Sequence, residues 1–250
     1  MSGQDRRMFD HVTIRVADRA ASQRFYELVF APLGFGAGAE GDGFTEWDDF
    51  SIAQAGDGEA VTTGLHAGFV AGSTAVVDAF WRAGTDAGYA SDGEPGPRPE
   101  YGEDYYGGFL LDPDGNSIEA VHHDSLRRGG HVDHLWIRVA DLAASAAFYD
   151  AVGPYAGFAR TRATHDLVQF KGSSGSFSVL RDERERTVNV HLAFPAPYDG
   201  AIADFHRAAV AAGYRDNGAP GERPEYHAGY EAAFVLDPDG HNIEVVDHHR

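Results

Sequence analysis

Cysteine is absent from this 250-residue chain, which excludes disulfides and thiolate-bound metal. Lysine occurs once, at Lys171, so arginine carries nearly all the positive charge. Positive charge is scarce overall: 20 Lys+Arg stand against 39 Asp+Glu, for a formal net charge of −19. A field of that sign repels phosphate backbones and anionic lipid, so neither nucleic acid nor a membrane is an expected partner. No apolar run approaches the roughly 18 residues that a spanning helix needs. The opening MSGQDRRMFDHV lacks the apolar core of a secretory signal. These absences point to a cytoplasmic protein. What is present is a hydrophobic fraction of 43%, enough for a packed core, and 13 histidines, an unusual number to find without cysteine.

The chain repeats itself. Asp10-His11-Val12-Thr13-Ile14-Arg15-Val16-Ala17-Asp18 returns as Asp133-His134-Leu135-Trp136-Ile137-Arg138-Val139-Ala140-Asp141, and each copy leads into a Phe-Tyr pair, Phe25-Tyr26 and Phe148-Tyr149. Arg98-Pro99-Glu100-Tyr101 returns as Arg223-Pro224-Glu225-Tyr226, and Leu111-Asp112-Pro113-Asp114-Gly115 as Leu236-Asp237-Pro238-Asp239-Gly240. The period is the length of a domain, too long for a solenoid unit. Two homologous halves are expected, residues 1–126 and 131–250, joined through a linker at 125–130 that contains Arg127-Arg128-Gly129-Gly130.

Within each half the pattern strand, helix, strands occurs twice. In the first half, alternation over 10–17 predicts a strand. Asp18 then caps a helix running to about Pro32, and short strands follow at 43–47 and 50–55. The second round predicts a strand at 65–71, a helix capped by Ser73, and strands at 105–111 and 116–122 joined by an Asp-Pro-Asp-Gly turn. The Gly- and Pro-rich stretches 90–102 and 216–227 read as irregular surface covers, with a lid as the alternative.

Strand side chains alternate faces. Val12, Ile14 and Val16 share one face of the first strand, and His11, Thr13 and Arg15 share the other. In the second copy His134, Trp136 and Arg138 oppose Leu135, Ile137 and Val139. Glu119 and Glu244 fall on the polar face of each last strand, and His66 and His191 begin the middle strands. Each half therefore offers two histidines and a glutamate: His11, His66, Glu119 and His134, His191, Glu244. Imidazole nitrogen and carboxylate oxygen suit first-row divalent ions, and three such ligands on one side leave the remaining positions open. Whether a site draws on one half or on both is left open by the sequence. His122, His123, His248 and His249 read as surface residues, and His131, His165 and His206 have no evident partner.

At these residues the chain resembles the vicinal oxygen chelate superfamily, which includes glyoxalase I, fosfomycin- and bleomycin-resistance proteins and type I extradiol dioxygenases. The motifs that carry the likeness are Asp-His opening each half, the strands Leu65-His66-Ala67-Gly68-Phe69 and Val190-His191-Leu192-Ala193-Phe194, and the Asp-Pro-Asp-Gly-x-x-Ile-Glu endings at Glu119 and Glu244. The resemblance implies an α+β fold of four βαβββ modules, two per half. They form curled mixed sheets around a cleft, with helices outside. It also places His11, His66, Glu119, His134, His191 and Glu244 where the family's metal ligands sit. Glyoxalase I usually adds a fourth protein ligand; the nearest residues here are Gln54 and Arg181. Extradiol dioxygenases add a histidine near the metal, where His227 falls (Gly102 in the first half). They also carry a tyrosine before the final Glu, where Phe234 and Phe109 stand; Tyr226, Tyr230, Tyr101 and Tyr105 are the nearby hydroxyls.

The leading expectation is a metal-dependent, dioxygenase-like oxidoreductase. It would use Fe(II) or Mn(II), with Zn(II) or Ni(II) as alternatives, on a small substrate that chelates through adjacent oxygens. His227 is then the acid/base, with Tyr226 and Tyr230 beside it, and the second half holds the better site. A glyoxalase-like lyase or isomerase, or a thiol transferase, is the second reading. A metal-free, ligand-sequestering protein like the bleomycin-resistance members is the third. The two halves are expected to form an internal pseudo-dimer within a monomer, or a homodimer.

Overall fold

The computed structural model describes residues 7–127 and 129–249. The first module is β1 (His11–Val16), α1 (Arg19–Phe30), β2 (Ala39–Glu40), β3 (Phe44–Trp47) and β4 (Phe50–Gln54). The second is β5 (His66–Val70), α2 (Thr74–Asp86), β6 (Ser91–Pro97), β7 (Tyr106–Leu111) and β8 (Ser117–His122). The third is β9 (Val132–Arg138), α3 (Leu142–Ala156), β10 (Ala159–Ala163), β11 (Leu167–Lys171) and β12 (Ser176–Leu180). The fourth is β13 (Val190–Pro195), α4 (Ala201–Ala211), β14 (Arg215–Glu222), β15 (Glu231–Leu236) and β16 (Asn242–Asp247).

Local chemistry sets these boundaries. The Asp18 carboxylate accepts from Ala21 N at 3.0 Å at the head of α1, and Asp141 does the same for Ala143 and Ala144 at the head of α3. In the Asp-Pro-Asp-Gly turn Asp112 Oδ1 accepts from the backbone of Asp114 and Asn116, while Gly115 takes a left-handed φ of 87°. The other oxygen of Asp112 accepts from the Tyr26 hydroxyl at 2.8 Å, tying the turn to α1, and Tyr149 does the same to Asp237 at 3.0 Å. This explains why the Phe-Tyr pair recurs with the turn.

Two eight-stranded mixed sheets result, neither closed into a barrel. One runs β14-β15-β16-β13-β1-β4-β3-β2, the other β10-β11-β12-β9-β5-β8-β7-β6. Each sheet therefore takes one module from each half. The first and fourth modules meet where β1 pairs antiparallel with β13; the second and third meet where β5 pairs antiparallel with β9. The apolar faces pack on the helices and on each other through a shared core, in which Phe69 of one sheet lies 5.0 Å from Phe50 of the other. The alternation read for β1 is present as buried Val12, Ile14 and Val16, with His11, Thr13 and Arg15 on the other face.

Two expectations need correction. The Gly/Pro-rich stretches are not irregular covers throughout, because 91–97 and 215–222 form the edge strands β6 and β14. Their registers shift twice each, as glycine- and proline-containing strands do at an edge where no further ladder is required. The junction between the halves is also more than a solvated linker. Arg127 is buried and its guanidinium lies 2.8 Å from the Asp49 carboxylate. The neighbouring Arg128 lies outside the described residues.

Candidate metal centres

The pairing of β5 with β9 puts Gly68 opposite His134 and His66 opposite Trp136; the parallel pairing of β5 with β8 puts Gly68 beside Glu119 and His66 beside Ser117. His66, Glu119 and His134 therefore rise from three adjacent strands on one face. His66 Nε2 lies 3.1 Å from Glu119 Oε2 and 3.2 Å from His134 Nε2, and His134 Nε2 lies 3.3 Å from Glu119 Oε2. The other sheet repeats the arrangement with β1, β13 and β16. There His11 Nε2 lies 3.1 Å from His191 Nε2 and 3.6 Å from Glu244 Oε2, and His191 Nε2 lies 3.0 Å from Glu244 Oε2.

The six residues singled out in the sequence thus converge three at a time, but not in the sets that each half supplies. His11 joins His191 and Glu244; His134 joins His66 and Glu119. The physical reason is the strand exchange described above. The first strand of each half pairs with the middle strand of the other, so its histidine faces the other half's histidine and glutamate.

These separations fit a metal. Ligands with bonds of about 2.0–2.2 Å, set on one side of an ion, stand about 2.8–3.5 Å from one another. The hydrogen positions fit as well. Ser117 Oγ donates to Asp92 at 2.8 Å, so it accepts from His66 Nδ1 at 3.0 Å, and His66 Nε2 is left with a lone pair. His134 Nδ1 donates to Asp133 Oδ2 at 3.0 Å. Two imidazole nitrogens and a carboxylate oxygen therefore aim at one point, an arrangement that could hold a cation between them. Without an ion, a proton supplies that charge. Burial would lower the His134 pKa, but the bonds to Asp133 and Glu119 outweigh burial and raise it to about 10. Burial would likewise raise Glu119, yet the two histidines hold it below the usual carboxylate range. His66, also buried, is pushed down.

Two further contributors carried no role in the sequence reading, and two of the hydroxyls named there find their partners. Asp133 and Asp10 stand behind His134 and His11, accepting from the Nδ1 of each; Asp10 lies 2.9 Å from His11 Nδ1. The Asp-His dipeptide was visible, but its aspartate carried no assigned role. Tyr105 donates to Glu119 Oε1 at 2.9 Å and Tyr230 to Glu244 Oε1 at 2.7 Å. The hydroxyl missing at Phe109 and Phe234 is thus supplied from another strand register, four residues earlier. Such partners of ligands typically change metal affinity about 10–100-fold when removed. Tyr105→Phe should weaken binding at the His66 centre by that order and leave the His11 centre unchanged, with Tyr230→Phe doing the reverse. Competition with a chromogenic chelator measures both.

His123 and His248 are not idle surface residues either. His123 Nε2 reaches Asp133 at 3.4 Å and stacks on Tyr105, and His248 Nε2 reaches Asp10 at 2.9 Å. His227 bonds His248 Nδ1 at 2.9 Å, so it stands behind His11, two side chains removed from it, and not on the open side. Tyr226 is 61% exposed and Tyr230 is buried. Gln54 turns away from the site: its amide nitrogen donates to Val16 and Ala17 carbonyls and its oxygen accepts from Arg19 N. The β4 side chains on the His11 face are Ser51, bonded to Thr13 at 2.7 Å, and Ala53. Gln54 therefore supplies no fourth ligand, and Arg181, just past the end of β12, cannot.

The two centres are unequal. In the His66 centre a Cβ at Gly68 would meet the His134 ring, and one at Gly107 would meet the Glu119 carboxylate. The matching positions of the other centre are Ala193 and Ala232. His191 Nδ1 faces Asn242 Nδ2 at 2.7 Å, while Asn242 Oδ1 accepts from Asn217 at 3.0 Å. In that arrangement His191 Nε2 carries the hydrogen, so the Asn242 amide must turn before His191 can ligate. A cavity of about 320 Å³ opens over the His66 centre, walled by Trp136, Tyr101, Phe109, Arg98, Arg138 and Arg184. Segment 90–102 thus covers this site, while His227 sits at the other.

The model of the Glyoxalase/Bleomycin resistance protein/Dioxygenase superfamily matches residues 8–120 and again 131–245. A search of curated proteins with the sequence returns no match. Among solved structures, glyoxalase I from Zea mays is 17% identical, with 96% of this chain and 92% of that chain covered and a TM-score of 0.68. A Bacillus subtilis protein named "putative dioxygenase" is 14% identical over 95% of this chain and 84% of that chain, with a TM-score of 0.63. A glyoxalase/bleomycin resistance protein from Albidiferax ferrireducens T118 is 33% identical over 47% of this chain and 99% of that chain, with a TM-score of 0.43. At these identities the first two likenesses speak to the fold.

Proposed function

Because the chain belongs to the Glyoxalase/Bleomycin resistance protein/Dioxygenase superfamily, we propose that it is a metal-dependent enzyme. In this reading it is dioxygenase-like, acts on a small substrate with two adjacent oxygens, and turns over at the centre of His66, Glu119 and His134. The observation that carries the reading is the facial set of two histidines and one glutamate, with no fourth protein ligand among the described residues and a cavity on its open side. That donor set, with its free positions, suits Fe(II) or Mn(II) in oxygenases. When bound, such an ion supplies Lewis acidity and the electron transfer that dioxygen chemistry needs.

The chain's own residues do the rest. Ser117 and Asp133 fix the two imidazoles with their Nε2 atoms inward, and Tyr105 holds the Glu119 carboxylate. Tyr101 lines the cavity, and burial together with Glu100 and Glu119 raises its pKa, so its hydroxyl stays protonated as a donor to substrate oxygen. At the His11 centre, His227 acts only through His248 and Asp10, which makes it a positioning residue.

Metal analysis and oxygen uptake test the proposal. Purified protein is expected to carry Fe or Mn, or to gain thermal stability and activity when either is added. A ligand present at a hundred times its dissociation constant stabilises the native state by about 2.7 kcal/mol. Absence of bound metal together with no response to Fe, Mn, Zn or Ni would remove it. Turnover without oxygen uptake would instead favour the lyase or isomerase reading.

A further inference from the structure

The cavity over the His66 centre has walls of two kinds. Trp136 lies 5.1 Å from the His66 ring on one side and Phe109 lies 5.9 Å from it on another, with Tyr101 edge-on to Trp136 at 5.3 Å. These rings bound a slot beside the ligands. Around it stand three guanidinium groups. Arg138 pairs with Asp182 at 2.9 Å and Arg184 with Asp92 at 3.1 Å. Arg98 donates to the carbonyls of Glu94 and Pro97 and lies 5.2 Å from the Phe109 centroid, and among the described residues it has no carboxylate partner. It uses only part of its N–H donors on those carbonyls. Arg98 is therefore the one arginine of the cavity wall that no carboxylate pairs among the described residues, in a chain whose net charge is −19.

The other centre keeps an arginine over a phenylalanine, Arg223 at 5.5 Å from Phe234, but Thr13 stands where Trp136 does, bonded to Ser51. The Trp136 wall is thus particular to the His66 cavity. Its volume of about 320 Å³ lies at the small end of ligand sites, which suits a single ring.

We infer that this cavity takes a small aromatic anion, one ring bearing a carboxylate, with Arg98 holding the carboxylate and Trp136 and Phe109 flanking the ring. A planar guanidinium matches a carboxylate through paired donors, and a ring slot rewards planarity. This rests on the proposed function only in that the ring's adjacent oxygens would face the His66 ligands.

The test is calorimetric binding to the full chain without oxygen, with and without Mn(II). The probes are 3,4-dihydroxybenzoate, catechol, benzoate and inorganic phosphate. The dihydroxybenzoate should bind at least tenfold tighter than catechol. Arg98→Gln should abolish that preference, Arg98→Lys should restore part of it, and Arg223→Gln should leave it intact. Trp136→Thr should weaken both aromatic ligands about tenfold. A purely structural role for Arg98 would weaken catechol and the acid alike, leaving their ratio unmoved. Equal binding of catechol and the acid, phosphate binding as tightly as the aromatic acid, or no binding by any probe would overturn the inference. A carboxylate preference that persists with no uptake of Mn(II) would uphold it while sinking the metal-dependent reading; Mn(II) uptake without the preference would do the opposite.

Discussion

A chain carrying both His66→Ala and His134→Ala should still bind one divalent ion, whereas His66→Ala combined with His191→Ala should bind none. The native chain should bind two. The prediction follows from the exchange of strands between halves: His66 and His134 share one centre, and His66 and His191 belong to different ones. Were each half to hold its own ion, each double variant would cost both sites a ligand and neither chain would bind any, so the ion kept by the His66→Ala, His134→Ala chain is the discriminating result. Loss of one imidazole from a three-ligand set leaves a pair of protein donors, too few to hold a first-row ion against water, so each affected centre should empty outright. Equilibrium dialysis with Mn(II) or Zn(II) reads the stoichiometry directly. The His66 centre should also fill first in the native chain, because the Asn242 amide must rotate before His191 can offer its lone pair. Asn242→Ser, which copies Ser117, should narrow the gap between the two affinities.

The members of the two clusters were legible in the sequence because strand alternation is a local property. His11 and Glu119 declare their faces through Val12, Ile14 and Ile118, whatever the strands later pair with. Their grouping was not legible, since register between distant strands depends on which module docks on which, and a duplicated sequence offers both solutions equally. The supporting partners were legible only in part: Tyr105 and Tyr230 stood out as nearby hydroxyls, but the atoms they reach did not. Tyr105 and Tyr230 reach the glutamates from the residues just before β7 and β15, and His248 reaches Asp10 across 238 residues of sequence. None of these contacts has a periodicity that sequence inspection could find. Gly68 did carry a signal: a glycine inside an apolar strand marks a close approach, here the His134 ring. The edge strands β6 and β14 were hidden by glycine and proline, which depress strand propensity without forbidding an edge.

Arg127→Met should be among the most destabilising single changes in the molecule, at about 3–5 kcal/mol. The Arg127 and Asp49 side chains are almost wholly buried, at 1% and 0% exposure, and lie 2.8 Å apart. Burial raises Asp49 from the ordinary carboxylate pKa, and the facing guanidinium opposes that shift. Removing the arginine therefore strands a charged acid in the interior. Asp49 also anchors backbone, because its Oδ1 accepts from the N–H groups of His131 and Val132, at 2.8 and 3.1 Å, where the second half enters β9. It thus ties the turn between β3 and β4 of one sheet to the first strand of the other. Replacing both partners by apolar residues would leave those two N–H groups without an acceptor, so Asp49→Leu with Arg127→Met should remain costly. Asp49→Asn with Arg127→Met keeps the acceptor and removes both charges, and should recover most of the loss. Urea unfolding of the three variants separates the terms: a double Asn/Met chain no more stable than Arg127→Met alone would show that the ion pair, and not the stranded carboxylate, sets the cost.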